Sequence, residues 1–354
     1  MGAGDGNPTI TDVARLAGVS MKSVSRVINK EPNVSDELRA RVTDAAAALG
    51  YRPNFSARSL AGVRSYLMGY LFGDPGGDYT HNVEVNLLNR CRAAGYHLLI
   101  EQLDADTGDI AERTAALVSQ LRLDGVVLTP PMTDNQDVLG VLESARVPYV
   151  RIAPNLDSDR SPQVCMDDFG AARELTQYLL GLGHRNIAII KGDPGHVAAR
   201  LRFEGFVDAM AAQGLVVPER NIEQGNFSYG SGLQCARRLL DRARPPSAIF
   251  ASNDDMAAAV VAVAHSKGID IPGELSVVGF DDAPVAQIVW PTLTTVRQPI
   301  DRMADAAAQL LLGRLAIRGG GQWPAPMPRV ELAYELKLRE SSAPLPRKLA
   351  RRTG

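Results

Sequence analysis

In the stretch VARLAGVSMKSVSRVINKEP (residues 13–32), Met21, Lys22, Ser25, Arg26 and Asn29 recur at i, i+1, i+4, i+5 and i+8. On a helix this spacing gathers a thioether, two cations, a hydroxyl and an amide on one face. Those groups suit the edges of nucleobases. Lys22 or Arg26 can donate to guanine O6 and N7, and Met21 can rest on a thymine methyl. Thr9, Ser20, Ser23 and Asn29 supply short polar groups of the kind that contact phosphates.

The elements needed to hold that face are legible around it. Thr9 or Thr11 caps a first helix running through Asp12, Val13, Ala14 and Leu16, which stops at Gly18. Ser20 caps the second helix, whose Val24, Val27 and Ile28 fall at i, i+3 and i+4 and face inward. A third helix follows in VSDELRARVTDAAAALGY, with Ser35 as cap, Leu38, Val42, Ala46 and Leu49 inward, and Gly50 as stop. Two helices joined by a glycine turn and braced by a third make a helix-turn-helix unit. Charge agrees with that reading: residues 1–64 hold nine Lys/Arg and six Asp/Glu, a net of +3 in a chain of net −2.

Next comes YRPNFSARSLAG (51–62), where Pro53 ends one helix, Asn54 caps another, and Ala57, Arg58, Ser59 and Leu60 form about two turns. So short a helix is marginal alone in water.

From Tyr66 onward, apolar strand candidates alternate with amphipathic helical segments. The strands are read at 66–72, 97–102, 125–129 and 149–153, then at 186–192, 248–252 and 275–280. Two such runs imply two parallel-sheet subdomains with helices on both faces. Ligands in open α/β sheets sit beyond the carboxyl ends of the strands. That rule selects Asn253, Asp254 and Asp255 in ASNDDM, Asp281 and Asp282 in VGFDDAP, and Arg200 and Arg202 near the start of a helix. Helix capping alone accounts for about half of these carboxylates. In the loop FGDPGGDYTHN (72–82), Asp74 and Tyr79 are placed to reach the same cleft.

The segments ITDVARLAGVSMKSVSRVIN and YRPNFSARSLAG together make the chain resemble the LacI/GalR family of bacterial repressors. Ser23 stands where many members carry threonine. The resemblance implies that Leu60 wedges into the minor groove beside its dyad mate, with Asn54, Ala57 and Arg58 on the same hinge helix. It also implies that Arg202, Asn253 and Asp281 bind the effector, that Phe227 stacks on a sugar ring, and that Gln298 is a hinge or cleft position. Ala153 departs from the family, which often has an acid there, so sugar identity does not transfer.

The expected organisation is a helix-turn-helix head (1–52), a hinge helix (53–64) and an α/β core of periplasmic-binding-protein type. Its first subdomain comprises 65–162 and 293–325, its second 163–292 and 326–340, and a basic disordered tail ends the chain (341–354). The crossovers near 162, 293 and 325 come from the resemblance alone. The expected function is a cytoplasmic, homodimeric transcriptional repressor, nucleoid-associated when bound to DNA. It would bind a near-palindromic operator with a central pyrimidine–purine step, CG by resemblance, and respond to a sugar or glycoside as inducer or co-repressor.

Other classes were weighed against this. GAGDG at 2–6 has no strand before it, and SYGSG at 228–232 lacks the strand–turn–helix setting of a nucleophile elbow. His81, His97, His184, His196 and His265 show no metal spacing, and Cys91, Cys165 and Cys235 form no CxxC pair. No cofactor or metal is expected, and the cysteines read as buried small hydrophobes. No apolar run approaches the roughly 18 residues of a membrane span. The first ten residues lack a basic region and an apolar core, so no signal peptide is expected. An enzyme or a stand-alone sugar-binding protein on the same core remains the alternative. Turnover of a sugar would mark the first, and lack of DNA affinity the second.

Overall fold

A computed structural model of the chain describes residues 8–28, 34–51, 64–73, 77–104, 107–155, 157, 159–317 and 323–345. These fall into two units, residues 1–65 and 66–354.

The first unit holds α1 (Ile10–Ala17), α2 (Met21–Ile28) and α3 (Asp36–Ala48). Of the two candidate caps, Thr9 is the one used. Its backbone N–H and its hydroxyl both donate to Asp12 Oδ2, at 2.9 and 2.7 Å. Gly18 takes φ 63°, the left-handed conformation that lets the chain turn without a Cβ penalty. Ser20 Oγ accepts from Ser23 N at 3.1 Å and starts α2, and Ser35 Oγ accepts from Leu38 N at 3.3 Å and starts α3. Arg41 of α3 donates from Nη2 to the Ala17 carbonyl at 2.8 Å, so the third helix also closes the end of the first. The core is Val13, Ala14, Ala17, Val24, Val27, Val42 and Ala45. Ile28, Leu38, Ala46 and Leu49, expected inside, pack on its margin, because three short helices enclose only one layer of side chains.

The second unit begins with β1 (Leu67–Phe72), α4 (Asp78–Ala93), β2 (His97–Gln102), α5 (Ile110–Leu121), β3 (Gly125–Leu128), α6 (Gln136–Ser144), β4 (Tyr149–Ile152) and β5 (Gln163–Cys165). It continues with α7 (Asp168–Gly181), β6 (Ile187–Lys191), α8 (Val197–Ala211), β7 (Ile222–Gln224), α9 (Tyr229–Leu240), β8 (Ala248–Ala251), α10 (Asp254–Ser266), β9 (Ser276–Val278) and the short α11 (Val285–Ile288). β10 (Thr295–Arg297), α12 (Ile300–Ala316), β11 (Arg329–Glu331) and β12 (Glu335–Lys337) complete it.

Two parallel sheets result, ordered β11-β5-β4-β3-β1-β2 and β7-β6-β8-β9, with β10 and β12 paired antiparallel. Strand alternation sorts the first core into two layers. Met68, Tyr70 and Phe72 meet Val83 and Leu87 of α4 and Met303 of α12. Leu71, Val126 and Leu128 meet Val118 of α5 and Leu139 of α6. The second sheet is covered likewise, by α7 and α8 on one face and α9 and α10 on the other. Strands buried on both faces carry continuous apolar runs, as in IAIIK and AIFA. All three cysteines are buried and unpaired.

All seven strands read from the sequence form. The expected crossovers shift, however. β5 pairs with β4, and β11 pairs with β5, so the chain leaves the first sheet after Cys165 and not at 162. It leaves that sheet finally after Glu331 and not at 325. Thr294 and Arg297 still bridge to Val278 and Asp281, which moves the middle crossover beyond 293. The tail expectation is corrected for 341–345, while 346–354 lie outside the described residues. Residues 341–345 pack on the second subdomain: Ser341 Oγ donates to the Val277 carbonyl at 2.5 Å, and Leu345 N to the Leu182 carbonyl at 2.9 Å. Buried His184 anchors them, with Nε2 3.0 Å from Ser276 Oγ and 3.1 Å from the Ala343 carbonyl.

Candidate functional site

The helix-turn-helix turns the polar face of α2 outward. Val24 and Val27 are buried, while Met21 is 54% exposed and Lys22 is exposed beside it. Ser23, Ser25 and Arg26 are partly exposed along the same helix. Met21 is steadied at its sulfur, which accepts from Thr11 Oγ1 at 3.4 Å. Thr9 and Ser20, expected at phosphates, also serve as caps here. Asn29, Asn54, Ala57, Arg58 and Leu60 lie outside the described residues, as does Asp74 of the core.

In the second unit, Tyr79, Arg202, Phe227, Asn253, Asp281 and Gln298 all line one cavity of about 360 Å³ at the carboxyl ends of the two sheets. α8 delivers Arg202 into its floor. The guanidinium donates from Nε to Asp168 Oδ1 at 2.9 Å and from Nη1 to the Ser252 carbonyl at 2.6 Å. Its Nη1 lies 3.7 Å from Asp281 Oδ1, and its Cζ stands 3.7 Å over the Phe280 ring. Asp281 Oδ1 also accepts from Gln298 Nε2 at 2.6 Å. Burial pushes the Asp281 carboxyl up to about 6, against the opposing pull of Arg202 and Gln298. Burial likewise raises the Tyr79 phenol.

Each pair of adjacent aspartates splits between structure and cavity. Asp255 and Asp281 line the cavity, whereas Asp254 is fully buried. Asp254 accepts from Thr295 Oγ1 at 2.7 Å and from Ala283 N at 2.8 Å, and burial holds its pKa well above the ordinary value. Asp282 pairs with Arg339 and, at 3.2 Å, with Arg297. Asn253 caps α10, accepting from Met256 N at 3.0 Å, and donates to the Phe227 carbonyl at 2.8 Å. It therefore holds the loop that presents Phe227. That ring lies against Gly192, where a Cβ would stand 2.0 Å from it, and meets His196 edge-on at 5.4 Å. Phe227 (φ 67°), Asp281 (φ 117°) and Ala153 (φ 52°) all take left-handed backbone at this cavity, at about 1–3 kcal/mol each.

Arg200 departs from expectation. It turns away to Glu204 (2.7 Å) and to Asn155 Oδ1 (2.9 Å). Asp168 and His196 line the cavity and were not singled out from the sequence. Asp168 opens α7 directly after β5, a strand too short to read, so the rule about strand ends had nothing to act on.

A two-sheet core with a cleft lined by charged, amide and aromatic side chains, together with a helix-turn-helix unit, defines a ligand-binding regulator architecture. Comparisons with known proteins agree. Residues 9–54 match the family described as bacterial regulatory proteins, lacI family, and residues 176–342 match the periplasmic binding protein-like domain. The HTH-type transcriptional regulator DegA of Bacillus subtilis is 34% identical over 95% of this chain and 98% of the relative. Among solved structures, the transcriptional regulator CelR–cellobiose complex is 31% identical, covers 95% of this chain and 100% of that one, and superposes with TM-score 0.72. The lac repressor dimer bound to operator and the anti-inducer ONPF is 26% identical, covers 96% and 100%, and gives TM-score 0.79. The chain belongs to the lacI family of bacterial regulatory proteins and is a DNA-binding transcriptional regulator.

Among the described residues, no group of three His, Cys, Asp or Glu is placed to hold a metal, and no helix is long and apolar enough to cross a membrane.

Proposed function

We propose that the cleft binds a sugar or glycoside and that this ligand sets operator affinity, the protein acting as a homodimeric repressor without catalytic turnover. The observation that carries the reading is the Arg202–Asp281–Gln298 cluster lining one cavity together with Phe227, whose ring centroid lies 5.9 Å from Arg202 Cζ. Fixed donors and acceptors beside an aromatic face match a polyol ring with its hydroxyl rim and apolar side. The named complex of CelR with cellobiose supports it. A thermal-shift screen of the full chain against neutral mono- and disaccharides tests it. Saturating ligand at 100 times its Kd should add about 2.7 kcal/mol of stability. The shift should vanish in Phe227→Ala; no shift with any sugar would overturn the reading.

At the head, Lys22 and its neighbours are proposed to read base edges, and two copies related by a dyad call for a near-palindromic site. Lys22→Ala should cost about 1–3 kcal/mol on the cognate operator and relax preference at one base pair. Gel-shift titrations on cognate and random DNA separate the cases, since an equal loss on both would reduce Lys22 to a phosphate contact. The hinge role of 53–64, Leu60 included, rests on the resemblance, as all of those residues except Pro53 and Asn54 lie beyond the matched family region.

A further inference from the structure

We propose that the cleft filters its ligands by charge, accepting uncharged polyhydroxylated molecules and rejecting anionic ones such as sugar phosphates and uronates. The inference rests on the carbohydrate reading above. Four carboxylates among the described residues line the cavity, from Asp78, Asp168, Asp255 and Asp281, against one guanidinium, that of Arg202.

The charge of Arg202 is already shared. The residue is 4% exposed, its Nε and Nη1 serve Asp168 and the Ser252 carbonyl, and Asp281 lies at 3.7 Å. An anion reaching this guanidinium would stand beside two buried carboxylates that already offset its charge. Arg200, two residues earlier, points to Glu204 and Asn155 and does not line the cavity. Lys191, at the end of β6, lies over the Phe203 ring and is not a lining residue either. His196 is the remaining nitrogen base in the lining, set edge-on to Phe227.

Helix N-termini at the ends of parallel strands commonly receive phosphates through their unpaired N–H groups and dipole. Three of them here are filled by the protein's own oxygens. Asp167 Oδ1 accepts from Gly170 N at 2.8 Å on α7, Ser228 Oγ from Ser231 N at 3.1 Å on α9, and Asn253 Oδ1 from Met256 N at 3.0 Å on α10. α4 opens with a carboxylate, Asp78. α8 lacks an acid in its first turn, but it carries Arg202 into the Asp168–Asp281 pair. With three helix N-termini filled by the protein's own oxygens and four carboxylates in the lining against one guanidinium, the net field over the cavity is unfavourable to anions. A hydroxyl has no such difficulty, because it donates to Asp255 or Asp281 without bringing a charge. Opposite these groups, Tyr79, Pro130 and Ala153 give the first subdomain a largely apolar wall.

The test is calorimetric titration of the full-length protein at pH 7.5 with matched probes: glucose, galactose, ribose and cellobiose, each beside its uronate or phosphate ester. A neutral sugar should bind, with its anionic counterpart at least a hundredfold weaker. Asp255→Asn, checked for folding by circular dichroism, should narrow that gap at least tenfold. Equal or tighter binding of the anionic member overturns the filter while leaving the carbohydrate reading standing, as does a gap that Asp255→Asn leaves unchanged. If neither member of any pair binds, the carbohydrate reading fails and the filter falls with it.

Discussion

Replacing Arg202 with methionine is expected to destabilise the core by about 3–5 kcal/mol and to abolish its response to ligand. The side chain is 4% exposed, and methionine keeps much of its bulk over Phe280, so packing loss is the smaller part. The larger part is what remains. Asp168, 5% exposed, would stand buried 2.9 Å from where its counter-ion had been, with Asp281 close by and keeping only its bond from Gln298. The Asp281 carboxyl, already raised by burial, would lose the opposing pull of Arg202 and hold its proton more tightly still in the folded state. Stability contributed by such groups is present below the unfolded pKa and is lost as pH rises through the folded one. The deficit of Arg202→Met should therefore be largest near pH 7.5 and shrink toward pH 5, read as the difference in midpoint of chemical denaturation. Adding Asp168→Asn should recover part of it at pH 7.5. A deficit independent of pH and untouched by the second substitution would show that Arg202 acts by filling space.

The same cluster shows what the sequence could and could not disclose. Capping residues, the glycine turn and the valines of the head follow local rules, so Gly18 and Ser20 were placed from types and spacing alone and the first cap was narrowed to Thr9 or Thr11. Long parallel strands announce themselves as apolar runs, and β1, β2, β6 and β8 were read nearly to the residue. Of the six described strands of three residues, only β9, embedded in the apolar run LSVVGF, was read; β5, β7, β10, β11 and β12 carry no period, and with β5 unread its neighbour Asp168 went unnoticed. Arg200 and Arg202 illustrate a rule that was available: residues two apart on a helix lie about 200° apart, so only one can enter a cleft. Adjacent aspartates obey similar geometry, which is why Asp254 braces Ala283 and Thr295 while Asp255 lines the cavity. The depth of Arg202 was not legible, since burial of a cation depends on partners more than thirty residues away in sequence.

Asp281→Asn should separate stability from function, because its two effects are expected to have opposite signs. The substitution keeps the shape and the oxygen that accepts from Gln298 at 2.6 Å, and removes only the charge. In the wild type, the unfolded chain releases this proton near the ordinary carboxylate value of 3.8, and the folded protein holds it until about 6. Between those values the folded state binds more protons, so stability falls as pH rises, and at pH 7 the buried charge costs up to about 3 kcal/mol. The asparagine variant lacks that slope. Its melting temperature should be flatter than wild type between pH 4 and 6, and at pH 7 equal or higher without ligand. Sugar affinity should move the other way. A carboxylate accepting ligand hydroxyls favours its ionised form, so wild-type affinity should rise with pH through 6 and release a proton on binding. Loss of charge-assisted hydrogen bonds at about 1.5–3 kcal/mol each should weaken binding by roughly tenfold to a hundredfold and remove its pH dependence. Operator affinity without ligand should stay near wild type. Such a pairing, more stable yet less responsive, is expected where burial strain is maintained for binding. Titrations at pH 5.5 and 7.5 decide it: an asparagine variant that binds sugar within threefold of wild type at both would remove Asp281 from the ligand site and leave it a structural partner of Arg202 and Gln298.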